Sequence, residues 1–574
     1  MYTEIIQKIQ LNQLQEAEQL FCQNANIRSE EYYIIGATIY MNIGDEKKAY
    51  GLITEGIRYA PYNAELYLLL GNYYEKRNWN QAWLCYEQAE FYCDSKEDLE
   101  VIQAFKDRVS LQEEFCVQKT SVVILSYNTQ KMLQSCINSI KETVSSTACE
   151  IIIVDNNSED SSKEWLEENR HLGYKLICNM ENKGFPYGCN QGIKISEADN
   201  DIFLLNSDTI VTQNALFWLR MGLYEDKKTG AVGSVTNNAP NLQKIDGTKR
   251  VEEWLDYAVT NNVPMERPYE EKVFLVGFAL LIKRRAMDQV GLLDTIFSPG
   301  TYEDNDYCMR LHRAGWSVRL CHNSFIFHYG SGDGKNKEKW ADLNDRNHGK
   351  LNEKWGFDGE KAFLSREELI ARITNSREER ICVLEVGCGA GSTLYRIAYR
   401  WPNAVLHGIE ADFRQVQLID SSIDVLCGDV QTMELPYKKS MFDYIILSDI
   451  LEYTTNPEEV INRLKPFLKP EGRFIGSVQN VMHYSKMIPL MDGETIQKWN
   501  KRYEKKQYSF FTLGSLIELF AQCGFGLESI TGTQPVHEQP ELQKRMEELI
   551  YKMPDIADRS QFVSYQYIFS ARIK

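Results

Sequence analysis

In the first half of the sequence, polar side chains follow three short apolar runs. Tyr127 and Asn128 come after the first run, Asp155 ends the second, and Asn206 and Asp208 come after the third. In an open α/β sheet, ligands bind outside the carboxyl ends of the strands. The pattern therefore predicts one site at one edge of a sheet. The apolar runs are 121–125, 150–154 and 201–205.

A carboxylate such as Asp208 could hold Mg²⁺ or Mn²⁺, which takes one or two protein carboxylates together with phosphate oxygens and water. The cation would offset the charge that develops on a diphosphate leaving group as its bond to a sugar breaks. Asp155 could accept hydrogen bonds from a base or a ribose. Taken singly, each acid is also an ordinary turn residue at a strand end, so the prediction depends on the ordered set.

A second acidic group, Glu303 with Asp304, precedes a predicted helix over 307–314. Transfer to an acceptor hydroxyl requires a general base, and the N-terminus of a helix stabilises a carboxylate as its anion. The same pair could instead cap the helix. His328 could be a metal or diphosphate ligand or, between Phe327 and Tyr329, a core histidine.

Residues of about 120–355 resemble a family-2 glycosyltransferase with the GT-A fold, in particular its rhamnosyltransferase-like branch. The resemblance implies that Asp155 binds the nucleoside, Asp208 the metal, with His328 as a further ligand, and that Asp304 beside Glu303 is the base. It also places Tyr127, Asn128, Lys183, Asn190 and Asn206 around the donor. Asn206 replaces an aspartate of the usual motif, so its ribose contact would come from an amide. The matching segments are 121–128, 154–158, 182–184, 190–192, 206–208, 276–279, 303–306 and 328–331.

A glycine-rich turn follows the apolar run 383–386 and precedes a predicted helix over 393–400. Its glycines, Gly387, Gly389 and Gly391, would let a ligand approach the backbone closely, although a plain turn has the same pattern. Glu410 ends the next predicted strand about 20 residues further on, where a carboxylate can bind ribose hydroxyls. Asp429 could receive an adenine amine.

Residues of about 365–574 resemble the class I S-adenosylmethionine-dependent methyltransferases. The resemblance implies that the cofactor site is lined by Glu385, Gly387, Gly389, Gly391, Glu410 and Asp429. Tyr453 stands where a histidine is frequent in this family, so Tyr453 and His483 are both candidates for a base on the acceptor side. A scaffold that only binds the cofactor is the alternative.

Residues 1–116 show helical periodicity and a degenerate repeat. Ala17, Ala49 and Ala82 recur at nearly even spacing, each before an apolar turn, and Pro61 would end a helix. Small residues at these positions let the two helices of a hairpin approach closely, and the pattern resembles tetratricopeptide repeats. The predicted solenoid would bind a protein acceptor or partner, or would only pack against the enzyme or dimerise it.

The predicted architecture is multi-domain: a TPR-like α-helical solenoid over 1–116, an α/β GT-A glycosyltransferase over 118–357 and an α/β class I methyltransferase over 365–574. A net charge of −17 argues against a nucleic-acid partner. No apolar run reaches the ~20 residues of a transmembrane segment. The 14 cysteines show no C-x-x-C spacing, and with no recognisable signal peptide this predicts a cytoplasmic protein.

The sequence thus predicts a bifunctional enzyme. It would transfer a sugar from a nucleotide-sugar donor to a surface glycan or a flagellin-like protein by metal-assisted inverting transfer, and it would methylate the glycan with S-adenosylmethionine. Two alternatives stay open: a methyltransferase that caps glycans, and an assembly scaffold, in which the glycosyltransferase domain serves mainly for binding.

Overall fold

The computed structural model describes residues 2–23, 28–330, 337–494, 507–534, 539–552 and 559–574. The chain forms two compact units, which divide between Leu351 and Asn352. Within the described residues, no helix has both the length and the apolar character needed to cross a bilayer.

The first unit begins with antiparallel helices. Ala17, Ala49 and Ala82 are fully buried, which is what the close approach of paired helices requires. Most of these helices begin at a side chain that accepts a hydrogen bond from the first turn, as at Ser29 and Asn63. The helices are α1 (Tyr2–Gln10), α2 (Leu14–Gln23), α3 (Glu30–Ile43), α4 (Glu46–Tyr59), α5 (Ala64–Tyr74), α6 (Trp79–Tyr92) and α7 (Lys96–Ser110).

A mixed sheet follows in the same unit. Its strands are β1 (Thr120–Ser126), β2 (Cys149–Asp155), β3 (Lys175–Cys178), β4 (Asp201–Asn206), β5 (Thr209–Val211), β6 (Thr229–Val235), β7 (Tyr269–Glu271), β8 (Ala279–Ile282) and β9 (Ser317–His328). They lie in the order β3-β2-β1-β4-β8-β6-β9-β5, with β7 also paired to β9. Strands β1 to β4 are mutually parallel, whereas β8 runs antiparallel to β4 and β6.

Helices cover both faces of this sheet. They are α8 (Gln130–Thr143), α9 (Ser162–Glu168), α10 (Phe185–Lys194), α11 (Ala215–Leu223), α12 (Val251–Asn261), α13 (Arg284–Val290), α14 (Glu303–Arg313) and α15 (Lys337–Trp355). The N-terminal helices share a hydrophobic core with the sheet, and the rings of Tyr67 in α5 and Phe217 in α11 meet edge to face at 5.4 Å. The helical region and the sheet therefore pack as one unit.

The second unit is built on a seven-stranded sheet in the order β12-β11-β10-β13-β14-β16-β15. The first five strands in this order are parallel, and β16 runs antiparallel to both of its neighbours. The strands are β10 (Cys382–Val386), β11 (Val405–Glu410), β12 (Asp424–Cys427), β13 (Phe442–Ser448), β14 (Leu468–Gln479), β15 (Phe525–Thr533) and β16 (Gln566–Ile573).

The described helices of this unit are α16 (Gly359–Phe363), α17 (Glu367–Ile370), α18 (Ser392–Arg400), α19 (Phe413–Val416), α20 (Pro457–Leu464), α21 (Tyr484–Met491), α22 (Leu513–Gln522) and α23 (Pro540–Lys552). The predicted fold class is confirmed: helices first, then a GT-A-like mixed sheet, then a Rossmann-like sheet. One boundary was wrong, because α14 begins at Glu303 rather than at Tyr307. Glu303 and Asp304 therefore lie inside its first turn.

Candidate functional site

The carboxyl ends of β1, β2 and β4 meet at one edge of the first sheet. Ser126 pairs with Asp155, and Leu125 pairs with Asn206. Tyr127, Asn128 and Asp208 follow at the same edge. The side chains that the sequence placed after separate strands are thus brought together by the register.

Side chains hold the loops at this edge together. Asn128 adopts a positive φ of 55°, and its Oδ1 accepts hydrogen bonds from the backbone N–H of Glu159 (2.7 Å) and Asp160 (3.3 Å). Asp155 is fully buried, and its Oδ2 accepts from Ser158 N–H at 3.1 Å. Its Oδ1 is buried without a hydrogen-bond partner in the described part of the chain. An unsatisfied buried acceptor fits a ligand that donates a hydrogen bond there.

Asp208 lies against His328, at the end of β9. His328 Nε2 is 3.3 Å from Asp208 Oδ1, and His328 Nδ1 is 2.9 Å from the carbonyl oxygen of Asn238. Burial alone would lower the pKa of His328, but the hydrogen bond and charge of Asp208 raise it above its ordinary value. Carboxylate oxygen and imidazole nitrogen are both metal ligands, so this pair fits a divalent cation.

The described residues contain no group of three or more histidine, cysteine or acidic side chains arranged to hold a metal. A cation at Asp208 and His328 would therefore need oxygens from a bound ligand. Mg²⁺ and Mn²⁺ sites that include substrate phosphates are built in this way.

The acidic pair lies at the N-terminus of α14. Asp304 is half-buried, and its two oxygens accept from Gly277 N–H and Asn305 N–H, each at 2.8 Å. Burial raises the pKa of Asp304, and these backbone donors oppose the rise. Burial and the neighbouring Asp304 raise the pKa of Glu303 well above its usual range. For Glu303, the backbone hydrogen bonding of the helix terminus opposes this rise but is smaller than the effect of burial.

The other predicted donor contacts differ in their surroundings. Tyr127 is 40% exposed, and Asn206 ends β4 half-buried. Lys183 is exposed, with its Nζ 2.8 Å from Glu181 and over the ring of Tyr187. Asn190 is buried, and its amide makes two hydrogen bonds to the backbone of Leu293 (2.8 and 3.0 Å). The structure thus gives the Asn190 side chain protein partners on both sides.

Three residues that organise this edge were given no role by the sequence analysis. The Asn156 amide donates to Asn182 Oδ1 (2.7 Å) and fixes the loop before α10. Gly277 supplies the N–H that binds Asp304. Asn237 brackets His328, donating to its carbonyl (3.0 Å) and accepting from its N–H (2.8 Å). The first two lie in segments that matched the family, but no local signal marked Asn237.

The second candidate site lies at the glycine turn after β10. Gly387, Gly389 and Gly391 all have positive φ, of 76°, 57° and 85°. A Cβ at Gly387 would lie 3.1 Å from Ile450 Cδ1, and one at Gly391 would lie 3.3 Å from Ile419. Both the left-handed backbone and the space therefore require glycine, and the turn leads into the N-terminus of α18.

Two carboxylates flank this turn. Glu410, at the end of β11, accepts from Gly389 N–H (3.0 Å) and Asp412 N–H (2.9 Å), which leaves lone pairs on both oxygens. Glu385 is buried, and burial raises its pKa to about 8. Glu385 Oε2 has no hydrogen-bond partner within the described residues. Asp429 is exposed and accepts from Gln431 N–H at 2.9 Å.

Of the two candidate bases, Tyr453 lies half-buried in the turn Leu451–Tyr453. His483 is fully buried, and its Nδ1 accepts from Ser485 N–H at 3.3 Å, which caps α21. Burial and the nearby Lys486 lower the pKa of His483 to about 4. His483 is therefore a neutral helix cap.

Comparisons with known proteins agree with this division. Residues 121–291 match the family described as glycosyl transferase family 2, and residues 359–530 match a methyltransferase domain. The chain is 24% identical over 252 residues to the uncharacterized glycosyltransferase YfnE of Bacillus subtilis, covering 35% of this chain and 62% of that protein. It is 24% identical over 169 residues to a malonyl-[acyl-carrier protein] O-methyltransferase of a Paenibacillus species, covering 28% of this chain and 60% of that protein. The chain thus spans about three fifths of each of these relatives.

Two solved structures match this chain distantly. A mannosyltransferase from Pyrobaculum calidifontis, in complex with GDP-Man and Mn²⁺, matches with a TM-score of 0.29 and 15% identity, over 45% of this chain and 70% of that one. A methyltransferase from Mesorhizobium loti matches with a TM-score of 0.25 and 17% identity, over 36% of this chain and 96% of that one. From the two family matches, the chain carries a family-2 glycosyltransferase domain fused to a methyltransferase domain.

Proposed function

We propose that the chain is a bifunctional enzyme that transfers a sugar from a nucleotide donor to a glycan or protein acceptor and methylates the glycan. The main support is the pairing of Asp208 with His328 at the strand edge that also holds Asp155. A site with one buried acceptor for a nucleoside and two metal-type ligands suits a nucleoside diphosphate. A surface glycan or a flagellin-like protein remains the proposed acceptor.

In the first reaction, Asp155 Oδ1 would accept a hydrogen bond from the nucleoside, and Asn206 would contact the ribose. Asp208 and His328 would hold a divalent cation, which offsets the negative charge of the departing diphosphate. Asp304 would accept the proton of the acceptor hydroxyl as the oxygen attacks the sugar carbon from the opposite side. Gly277 N–H and Asn305 N–H hold the Asp304 carboxylate in place for that step.

In the second reaction, the glycine turn after β10 and the carboxylates of Glu385 and Glu410 would bind S-adenosylmethionine. The sulfonium supplies an activated methyl group, and the protein must align it with the acceptor oxygen. The glycine turn at Gly387 and Gly391 fits such a ligand, and so does Glu385 Oε2, which is unsatisfied among the described residues.

The N-terminal helices would help to hold the acceptor beside the transferase. They share a hydrophobic core with its sheet, so a surface that they present keeps a fixed position relative to Asp304. A protein partner of these helices is part of the same proposal.

Metal-dependent donor hydrolysis tests the first activity. With Mg²⁺ or Mn²⁺, the protein is expected to release nucleotide from one of a panel of UDP-, dTDP- and GDP-sugars, and a chelator should stop the release. Asp208→Asn should reduce the rate by at least ~100-fold, because a neutral amide is a poor ligand for a hard cation. Asp199→Asn, at an exposed aspartate of the same domain, is the matched control. Full activity of Asp208→Asn with chelator would refute the metal site.

Calorimetry with S-adenosylmethionine tests the second activity. Glu410→Ala is expected to weaken binding by ~10–100-fold, since a charge-assisted hydrogen bond contributes about 1.5–3 kcal/mol and 1.4 kcal/mol is tenfold. The variant also frees Gly389 N–H and so loosens the turn. Glu434→Ala, at an exposed glutamate of the same unit, should bind as the wild type does. Equal affinity in both variants would remove Glu410 from the site.

A further inference from the structure

Beside the glycine turn, the second sheet buries a cluster of ionisable groups that the proposed cofactor site does not use. Glu452, in the turn after β13, is 1% exposed, and Lys486, in α21, is 4% exposed. Gln479, the last residue of β14, connects the two. Its backbone N–H donates to Glu452 Oε1 (2.6 Å), and its Oε1 accepts from Lys486 Nζ (2.7 Å).

The bonding of this cluster is incomplete. Glu452 Oε2 is buried with no hydrogen-bond partner in the described ranges. Lys486 Nζ forms its hydrogen bond to a neutral amide, and within the described ranges no carboxylate lies in ion-pair distance of it. Burying an ionisable group without a partner is costly, and a purely structural lysine and glutamate would form an ion pair. An amine and a carboxyl oxygen held apart in this way can each bind a separate group of a ligand.

The cluster lies two strands from the glycine turn. Strand β13 lies between β10, which leads into the glycine turn, and β14, which ends at Gln479. Val386 pairs with Leu447, and Ser448 pairs with Ser477. Two strand spacings amount to ~10 Å, so the cluster is within reach of a ligand bound at the turn. Ile450, which would meet a Cβ at Gly387, precedes Glu452 by two residues.

We propose that Lys486 is the general base of methyl transfer and that Glu452 Oε2 binds a second hydroxyl of the same acceptor, a sugar ring. This inference rests on the proposed methyltransferase function. The acceptor oxygen forms a bond to the methyl carbon of S-adenosylmethionine, the S–CH₃ bond breaks with its electron pair going to sulfur, and the hydroxyl proton passes to Lys486 Nζ. The products are a methyl ether, S-adenosylhomocysteine and an ammonium group.

The electrostatics of the cluster suit this role. Burial lowers the pKa of Lys486 to about 8, although Glu452 and Asp449 oppose the shift. Burial and Asp449 raise the pKa of Glu452 well above its usual range. Arg366 binds Asp449 at 2.8 Å. Among the described residues, Lys486 also faces His483, the N-cap of α21, and the ring of Tyr565.

His483 cannot take this proton in the same way. Its Nδ1 accepts a backbone hydrogen bond, so the ring proton is assigned to Nε2, which then has no lone pair for a second proton. Lys486 Nζ donates a hydrogen bond to Gln479 Oε1, and a neutral lysine amine keeps a lone pair that can accept a proton. The geometry therefore favours Lys486 over the histidine.

The test uses the full chain, radiolabelled S-adenosylmethionine and a panel of methyl glycosides of hexoses and 6-deoxyhexoses. Lys486→Met and Lys486→Arg should each lower methyl transfer by ~10²–10⁴-fold, the usual contribution of a general base, with unchanged affinity for S-adenosylmethionine. The wild-type rate should rise with pH through about 8 and then level off. Ethylamine should restore part of the turnover of Lys486→Ala, which a structural role would not allow.

His483→Asn is the control, because asparagine also caps a helix, and it should keep its activity. Wild-type turnover in Lys486→Met, or a parallel loss of cofactor affinity and turnover, would overturn the role of Lys486 as base. A wild-type protein that binds S-adenosylmethionine but methylates no glycoside would overturn the sugar acceptor. A wild-type protein that does not bind S-adenosylmethionine would instead refute the proposed methyltransferase function itself.

Discussion

Asp304→Asn is expected to lower sugar transfer by ~10²–10⁴-fold while leaving donor affinity nearly unchanged. The amide has the shape of the carboxylate but cannot accept the proton of the acceptor hydroxyl. Asp304 is 27 positions from Gly277 in sequence, yet the N–H of that glycine binds its carboxylate at 2.8 Å. Asparagine can keep that hydrogen bond through its carbonyl oxygen, so the loss should appear in kcat and not in donor binding.

The pH dependence of transfer gives a second measure of the same site. A base must be deprotonated, so activity is lost as pH falls through the pKa of the acidic pair. Burial raises the pKa of Asp304, so the loss should begin at a higher pH than for an exposed aspartate, whose pKa is ~4. Glu303→Gln should leave this loss at nearly the same pH, because the charge of Asp304 raises the pKa of Glu303, so Glu303 is already neutral where Asp304 titrates.

Glu303→Gln also serves as the matched comparison for Asp304→Asn. A protonated glutamate and a glutamine are both neutral, so this variant should cost less than ~10-fold in rate. Initial rates across the pH range, with donor affinity measured separately, distinguish the two positions. Equal losses in the two variants, or an active Asp304→Asn, would show that Asp304 is not the base.

The strands and the two acidic clusters could be predicted from sequence because both are local. The apolar runs that end at Asp155 and Asn206 became β2 and β4 almost residue for residue. The glycine turn could be predicted in the same way, since the backbone conformation requires glycine at three alternate positions, Gly387, Gly389 and Gly391. Parallel pairing then brings strand ends together at one edge without further information.

Other parts of the sites depend on contacts between residues far apart in sequence, which no local pattern encodes. Asn237 binds the backbone of His328 across 91 positions. The raised pKa of Glu303 follows from its burial in the tertiary fold and from the charge of Asp304. Lys486 and Glu452 are ordinary charged residues in sequence, and only the fold removes both from water. The sequence therefore supplied the candidate residues, and tertiary packing determines their surroundings.

The sequence also left open how the N-terminal helices pack against the transferase sheet. The stability of this packing can be measured. Glu87→Ala is expected to destabilise the packing of α6 on α11 by about 3–5 kcal/mol. Glu87 forms a buried ion pair with Arg220, whose side chain is only 4% exposed. Without Glu87 the guanidinium keeps the carbonyl of Gln118 as a partner (3.0 Å) but loses its counter-charge. Hydrogen exchange of peptides from α6 and α11 in the full chain would measure the local opening.

Glu114→Ala is the matched control, because Glu114 and Lys227 connect the same two regions at 2.7 Å but are 63% and 80% exposed. An exposed pair contributes only about 0–1 kcal/mol, so this variant should exchange nearly as the wild type does. The double variant Glu87→Leu with Arg220→Met should recover most of the lost protection, since apolar residues can replace a buried ion pair. If Glu87→Ala exchanged no faster than Glu114→Ala, the helices would be held by the shared hydrophobic core alone, and the ion pair would serve only to set which surfaces meet.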